Sequence, residues 1–442
     1  MLSGLSAVAA VGCAPGVDSR ARPGRDPAPL PGWVSEAVID DDAFPWIAAG
    51  DVDAGGAALV ASTGEAAVSV IVVRDRDGQV VAARSGVAAV DGFVRVELPL
   101  PADEALTYTF VTPDGARSSR PGRLRTPPAA GDGRVVVLGA TSCLGHADPD
   151  YPSLGYAAAE SLDAFLLLGD TVYANGPDLT EYRRQWSHQL RKDTVRALLE
   201  AVPVVAVWDD HEVANDWTFD APITQSQTTV SPERVADARR AFDEALPRRL
   251  GPDGSGLWRA VRFGDVLIVA LDLRGERGDG RIVSDAQLAW VEQVVRDAPE
   301  VFKLVLTSVH LTDHTASMGD DNAVDRWQGY PAQRSRLVAL AEEVPGVLFV
   351  SGDMHYGGLQ RLAAPGLPGA GIAEIAVGPA GSVPFGFEAW ADKALGGLPP
   401  QYERVLDDWS WTRMTFDPVA RTVVLAWIGD DGAAAAELTL RV

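Results

Sequence analysis

Asp170 and Tyr173 stand where an apolar run stops. Phe165-Leu166-Leu167-Leu168 has the composition of a buried strand, and Gly169-Asp170-Thr171-Val172-Tyr173 follows at once. The same grammar recurs. Val135 to Leu138 runs into Ser142-Cys143, and Val204 to Val207 runs into Trp208-Asp209-Asp210-His211-Glu212. Leu267 to Leu271 runs into Asp272 and Arg274, Leu304 to Leu306 into His310, and Val347 to Val350 into Ser351-Gly352-Asp353-Met354-His355. Carboxylates, imidazoles, a thiol and a phenol are the hard and soft ligands of metal ions. In open α/β sheets, sites form outside the carboxyl ends of the strands. The chemistry this pattern favours is metal-dependent hydrolysis of a phosphate ester.

The individual residues differ in weight. Asp209, Asp210 and Glu212 surround one histidine, and closely set carboxylates repel unless a cation lies among them. A solvated acidic turn is the alternative, and the buried character of Val204 to Trp208 counts against it. Asp353 and His355 fall on the same side of an extended chain, because side chains alternate with period two. The Asp170 carboxylate can bridge two cations. The Tyr173 phenolate can bind a hard trivalent ion, or the ring can simply pack. Cys143 has two readings: a buried structural thiol, or a thiolate serving a metal at a strand end. His310 and His314 compete for one minor role, and Asn215 and Asp216 lie close enough in sequence to reach the site. Asp148, Asp150, Asp320 and Asp321 read as solvated loop charge.

Those elements must be held by a substantial body. A chain of 442 residues exceeds one ordinary core, so two or three domains are expected. The formal net charge of -23 excludes a nucleic-acid-binding surface, which needs Lys and Arg against phosphates. It also repels an anionic substrate, so bound metals are the natural source of a local positive field. The two cysteines, Cys13 and Cys143, exclude a disulfide scaffold. Cys13 closes a short apolar stretch from Leu2, the form of an export leader ending in a lipid-modified cysteine. A flexible Pro- and Arg-rich tether follows, so residues 1–40 are expected to be leader and tether. The expected location is secreted or extracytoplasmic, with the membrane reached only through a lipid on Cys13. No apolar stretch reaches the roughly 20 residues of a membrane span.

Residues 41–128 read as a small all-β sandwich. Val68 to Val73 and Val80 to Ala83 flank Asp75-Arg76-Asp77-Gly78, a hairpin signature. Phe93 to Leu98 alternates as a half-exposed strand, and Tyr108 to Val111 precedes the turn Pro113-Asp114-Gly115. A linker at Pro127 to Gly133 leads to residues 133–442, where strands and helices alternate. Ser231-Pro232 starts one helix. Ser284 with Gln287 starts another in a capping-box pattern. The chain returns to β at Arg413 to Phe416, Thr422 to Trp427 and Ala436 to Val442.

Assembled, these residues resemble the alkaline phosphatase D family, a branch of the calcineurin-like metallophosphoesterases. The likeness rests on Thr141-Ser142-Cys143, Gly169 to Tyr173, Val207 to Glu212 with Asn215-Asp216-Trp217, Asp325 to Pro331 and Ser351 to His355. The resemblance implies an α/β catalytic domain of two β-sheets flanked by helices, preceded by a fibronectin- or immunoglobulin-like sandwich. It implies iron together with calcium, or another divalent metal. On matching positions Cys143 and Tyr173 would bind ferric iron and Asp170 would bridge the two metals. Asp210, Asp353 and His355 would complete the metal set, and His211 would face the phosphoryl group. Arg274 is expected to clamp a phosphate oxygen through both guanidinium arms. The chain departs from the family at Leu144-Gly145-His146 and at Ala174 to Pro177, so monoesters, diesters and phospholipids all stay open as substrates. A purple acid phosphatase is the nearest alternative, but that group carries Asn in place of Asp210 and His in place of Asp353. A non-catalytic metal- or glycan-binding surface protein is the alternative from another class.

Overall fold

Two sheets packed face to face build the body of the protein. The computed structural model describes residues 36–145, 147, 150–219, 225–314 and 323–442. The leader with Cys13, most of the tether, and His146, Asp148, Asp320 and Asp321 lie outside the described residues.

The first sheet has nine strands, in the spatial order Ala434–Arg441, Thr422–Gly429, Ser410–Asp417, Val136–Thr141, Ala164–Leu168, Val204–Val207, Ile47–Asp53, Gly56–Ser62 and Phe93–Pro99. The second has seven: Arg259–Phe263, Val266–Ala270, Phe302–Thr307, Val347–Ser351, Ala373–Ala376, Gly357–Arg361 and Tyr402–Leu406. The site-bearing strands form the parallel centre of each sheet. Val136–Thr141, Ala164–Leu168 and Val204–Val207 run parallel, as do Val266–Ala270, Phe302–Thr307 and Val347–Ser351.

Alternation along these strands decides what each face meets. Leu138, Leu166, Leu168 and Val205 pack across the interface against Ile268, Leu304, Leu306 and Val350. The residues between them point outward. Phe165, Leu167 and Ala206 meet Leu154, Trp186, Leu198 and Phe242 of one helical layer. Leu267, Val305 and Phe349 meet Leu288, Val291, Leu337 and Leu340 of the other. Burial on both faces is why these strands read as unbroken apolar runs rather than alternating ones.

The N-terminal stretch is all-β as expected, but its strands divide between two sheets. Ala67–Arg74 and Val80–Ala88 form the expected hairpin in a third, six-stranded sheet with Ala105–Val111. Ile47–Asp53, Gly56–Ser62 and Phe93–Pro99 instead extend the nine-stranded sheet, joined where Gly50 pairs with Val204. A Cβ at Gly50 would sit 2.6 Å from the Val204 carbonyl oxygen, so only glycine permits the junction. The segment between the two portions is anchored, since Gly131 and Gly133 N–H both donate to the Asp265 carboxylate at 2.7 and 2.9 Å.

Ser231 and Ser284 cap their helices through their hydroxyls as expected. The reciprocal half of the capping box differs. Gln287 does not reach back to Ser284; its amide spans the backbone of Asp272, and Glu276 accepts from Ser284 N–H. A buried strand end left Asp272 with polar backbone groups to satisfy, and Gln287 is fully buried beside it. Among the described residues, no helix is long and apolar enough to cross a membrane.

Candidate metal centre

The apolar strands end at one rim, and the chain turns sharply there. Cys143, Asp170, Asp353 and His355 adopt left-handed backbone conformations, with φ of 54°, 52°, 66° and 51°. Outside glycine this region is sparsely populated, and such conformations cost on the order of 1–3 kcal/mol each. Four in one cluster mark a site whose side chains must turn back over the strand ends. The turns also press on one another. A Cβ at Gly169 would meet the Asp209 Cβ at 2.5 Å, and one at Gly352 would meet the Ser142 Cβ at 2.6 Å. The Gly-Asp pairs are therefore steric requirements of close-packed loops.

The side chains converge. Ligand atoms of Cys143, Asp170 and His355 all lie within 4.8 Å of one another, as do those of Asp170, Asp210 and His211 and those of Asp209, Asp210 and Asp353. Asp170 is common to the first two groups and Asp210 to the last two. Tyr173 Oη lies 3.2 Å from Asp170 Oδ2 and 3.3 Å from His355 Nε2, so the phenol joins the Cys143 end. The structure thus brings together Cys143, Asp170, Tyr173, Asp210, Asp353 and His355, the residues the sequence offered as candidate ligands.

Burial and like charges set the electrostatics of the cluster. Burial, then the charges of Asp209 and Glu212, push the Asp170 carboxyl well above its ordinary range. Burial and Asp170 do the same to Asp210, and burial with Asp325 and Asp209 does so to Asp353. Burial raises the Cys143 thiol and the Tyr173 phenol, with Asp170 adding to both. Burial lowers His355, leaving the neutral imidazole that a metal takes. Asp209 Oδ2 is buried without a hydrogen-bond partner. A donor set of thiol, phenol and imidazole around a shared carboxylate fits a transition metal at one end. The carboxylates of Asp209, Asp210 and Asp353 fit a hard cation at the other.

Arg274 departs from its expected role. Its side chain is 1% exposed, and its guanidinium is committed to Asp209 Oδ1 at 2.6 Å and to Asp325, with Asp210 at 3.7 Å. Burial alone would raise Asp325, but Arg274 and Arg277 hold it below the carboxylate range. Arg274 is a buried counter-ion with no arm free for a phosphate. A strand-end arginine among acids is drawn inward because those acids lie under the rim.

His211 lies beside Asp170 and Asp210. Its ring stacks on Tyr173 with centroids 3.9 Å apart, and Nδ1 lies 3.3 Å from Asn175 Oδ1. His310 and His314 go elsewhere: both are buried, 3.1 Å apart, in a network with Tyr356, Gln360 and Tyr402. Asp216 contributes its backbone N–H to Asp210, and Asn215 turns to the Ser226 carbonyl.

Three residues act as supports, a role the sequence did not assign to them. Glu212, fully buried, accepts from the backbone N–H groups of Asp170, Thr171 and Asp209 at 3.0, 2.7 and 2.8 Å. It knits two ligand turns together, and burial pushes its carboxyl up to about 7. Asp325 fixes Arg274, and Ser382 lies 2.6 Å from Tyr173 Oη. Glu212 and Asp325 stand inside recognisable segments; a lone serine in a Gly-rich loop leaves no trace in sequence pattern.

The family model for PhoD-like phosphatases matches residues 137–396. Alkaline phosphatase D of Bacillus subtilis (strain 168) is 24% identical over 296 residues, 56% of this chain and 50% of that protein. The match thus spans about half the length of that relative. Among solved structures, PhoD superposes with a TM-score of 0.74 at 21% identity, covering 89% of this chain and 88% of that one. A purple acid phosphatase, PPD1 from yellow lupin (Lupinus luteus) seeds, superposes with a TM-score of 0.64 at 15% identity, over 90% of this chain and 73% of that one. Both structural matches bear out the expected two-sheet α/β fold.

Proposed function

The chain belongs to the PhoD-like phosphatase family, and we propose from that premise that it hydrolyses phosphate esters at a two-cation centre. The observation that carries the reading is Asp170, whose carboxylate belongs at once to the Cys143–His355 group and to the Asp210–His211 group. A carboxylate shared by two ligand sets would serve both ions.

In this reading Cys143, Tyr173, His355 and Asp170 would hold ferric iron. Asp170, Asp210 and Asp353 would hold a second, hard ion such as calcium, with Asp209 beside them. Cations bound there would supply an acidified water, its pKa lowered to about 7, and would neutralise the phosphoryl oxygens. The protein's part is to keep the carboxylates fixed. Arg274 and Ser308 hold Asp209 from below, and Glu212 holds the turns that present Asp170 and Asp209. Asn175 accepts from His211 Nδ1–H, so a His211 that also carries a proton on Nε2 would give that proton to the leaving oxygen of the ester and be left as neutral imidazole. The acidic identity of Asp210 and Asp353 favours this reading over a purple acid phosphatase.

The experiment is metal analysis paired with turnover of a chromogenic phosphate ester. The proposal expects two bound metals, with activity lost on chelation and restored by adding them back. Full metal content without hydrolysis of mono- or diesters would favour a metal-binding surface protein instead. Full activity in protein shown to be metal-free would overturn the proposal.

A further inference from the structure

The segment Gly381 to Val383 touches three of the proposed ligand residues, which come from three different turns. Ser382 N–H donates to the Cys143 carbonyl at 2.9 Å, and Gly381 N–H reaches the same oxygen at 3.3 Å. Ser382 Oγ lies 2.6 Å from Tyr173 Oη. The Val383 carbonyl oxygen lies 3.0 Å from His355 Nδ1. The segment is itself held from behind, because Trp409 Nε1 donates to the Ser382 carbonyl at 2.8 Å. Room for the hydroxyl comes from Gly145, where a Cβ would sit 2.4 Å from Ser382 Oγ.

A carbonyl only accepts, so His355 Nδ1 carries the proton and Nε2 presents its lone pair. That Nε2 lies 3.3 Å from Tyr173 Oη. A metal-bound phenolate has no proton, so in the 2.6 Å contact the Ser382 hydroxyl must be the donor. Such outer partners orient metal ligands and set their donor strength, and their loss typically costs 10–100-fold in metal affinity or activity.

We propose that Ser382 is a positioning residue of the iron half-site, whose hydroxyl donates to the Tyr173 phenolate while its backbone and that of Val383 brace Cys143 and His355. This rests on the assignment of Tyr173 to iron. A hydrogen bond lowers the energy of the phenolate electrons, so removing it makes their transfer to iron easier.

The test is the visible absorption of iron-loaded Ser382→Ala, Ser382→Cys and Ser382→Thr proteins beside the unaltered protein and Tyr173→Phe. Ser382→Ala should move the phenolate-to-iron band to longer wavelength and weaken iron retention 10–100-fold in a chelator competition. Ser382→Cys, a weaker donor, should shift the band less, and Ser382→Thr should restore it. A band that stays in place in both Ser382→Ala and Ser382→Cys, at full iron content, overturns the role of Ser382 and leaves the iron assignment standing. An iron-loaded protein without any band that Tyr173→Phe removes overturns that assignment, and the proposal with it.

Discussion

Arg274 Nε donates to Asp209 Oδ1 at 2.6 Å, and both side chains are 1% exposed. The pair lies beneath the acid cluster, with Asp325 on the other arm of the guanidinium. Breaking a buried ion pair by removing one partner costs about 3–5 kcal/mol, because the other charge stays behind unpaired. Arg274→Ala is therefore expected to lower the melting temperature sharply and to loosen Asp209. Arg274→Lys should recover only part of this, since an ammonium cannot fork between two carboxylates. Thermal unfolding of both variants, with and without metals, checks the expectation; an Arg274→Ala protein that only loses substrate affinity would return Arg274 to the phosphate.

Asp170→Asn should deplete both metals, because its carboxylate is shared by two ligand groups. Cys143→Ser and Tyr173→Phe should deplete only the iron. Elemental analysis of the three purified variants separates these outcomes. Loss of a single metal from Asp170→Asn would contradict the bridging role.

The strand ends were legible because burial on both faces of a parallel strand leaves a continuous apolar run, as at Phe165 to Leu168, and the next polar residues fall at the rim. Asp170, Asp210 and Asp353 were legible for the same reason. Arg274 was misplaced because one residue type serves as well under a cluster as above it, and depth below the rim is set by loops rather than by pattern. The division of the N-terminal strands was hidden too. Ile47–Asp53 joins the nine-stranded sheet where Gly50 meets Val204 and Pro247, each more than 150 residues further along the chain. Ser382 was out of reach, since its meaning depends on three separate turns arriving at one loop.

The metal-free protein should become less stable as pH rises. Burial and mutual repulsion raise Asp170, Asp210 and Asp353 in the fold, and Glu212 moves from 4.5 to about 7. A carboxyl whose folded pKa is raised stabilises the fold below its unfolded pKa and loses that contribution as pH climbs through the folded value. For Glu212 the window runs from about pH 4.5 to about pH 7. Bound cations need the deprotonated acids, so the metal-loaded protein should reverse this trend, and metal uptake should release protons. Melting temperatures of both forms across pH 5 to 8 measure it; parallel curves would mean that the acids are ionised without metal.

His211 is the residue whose role turns on a measurement rather than on proximity. Its imidazole stacks on Tyr173 and is held at Nδ1 by Asn175, on the open side of the centre. Its ring also comes within 4.8 Å of the Asp170 and Asp210 ligand atoms. As a proton donor to the leaving oxygen, it should be separable from metal binding. His211→Ala is then expected to lower kcat by roughly 10²–10⁴, the range for a lost general acid, with both metals retained. The defect should shrink for esters whose leaving group departs without a proton, such as aryl phosphates of acidic phenols, and stay large for alkyl esters. Comparing kcat across such a series, with metal content measured on the same samples, decides the matter. A uniform loss accompanied by loss of a metal would make His211 a ligand instead.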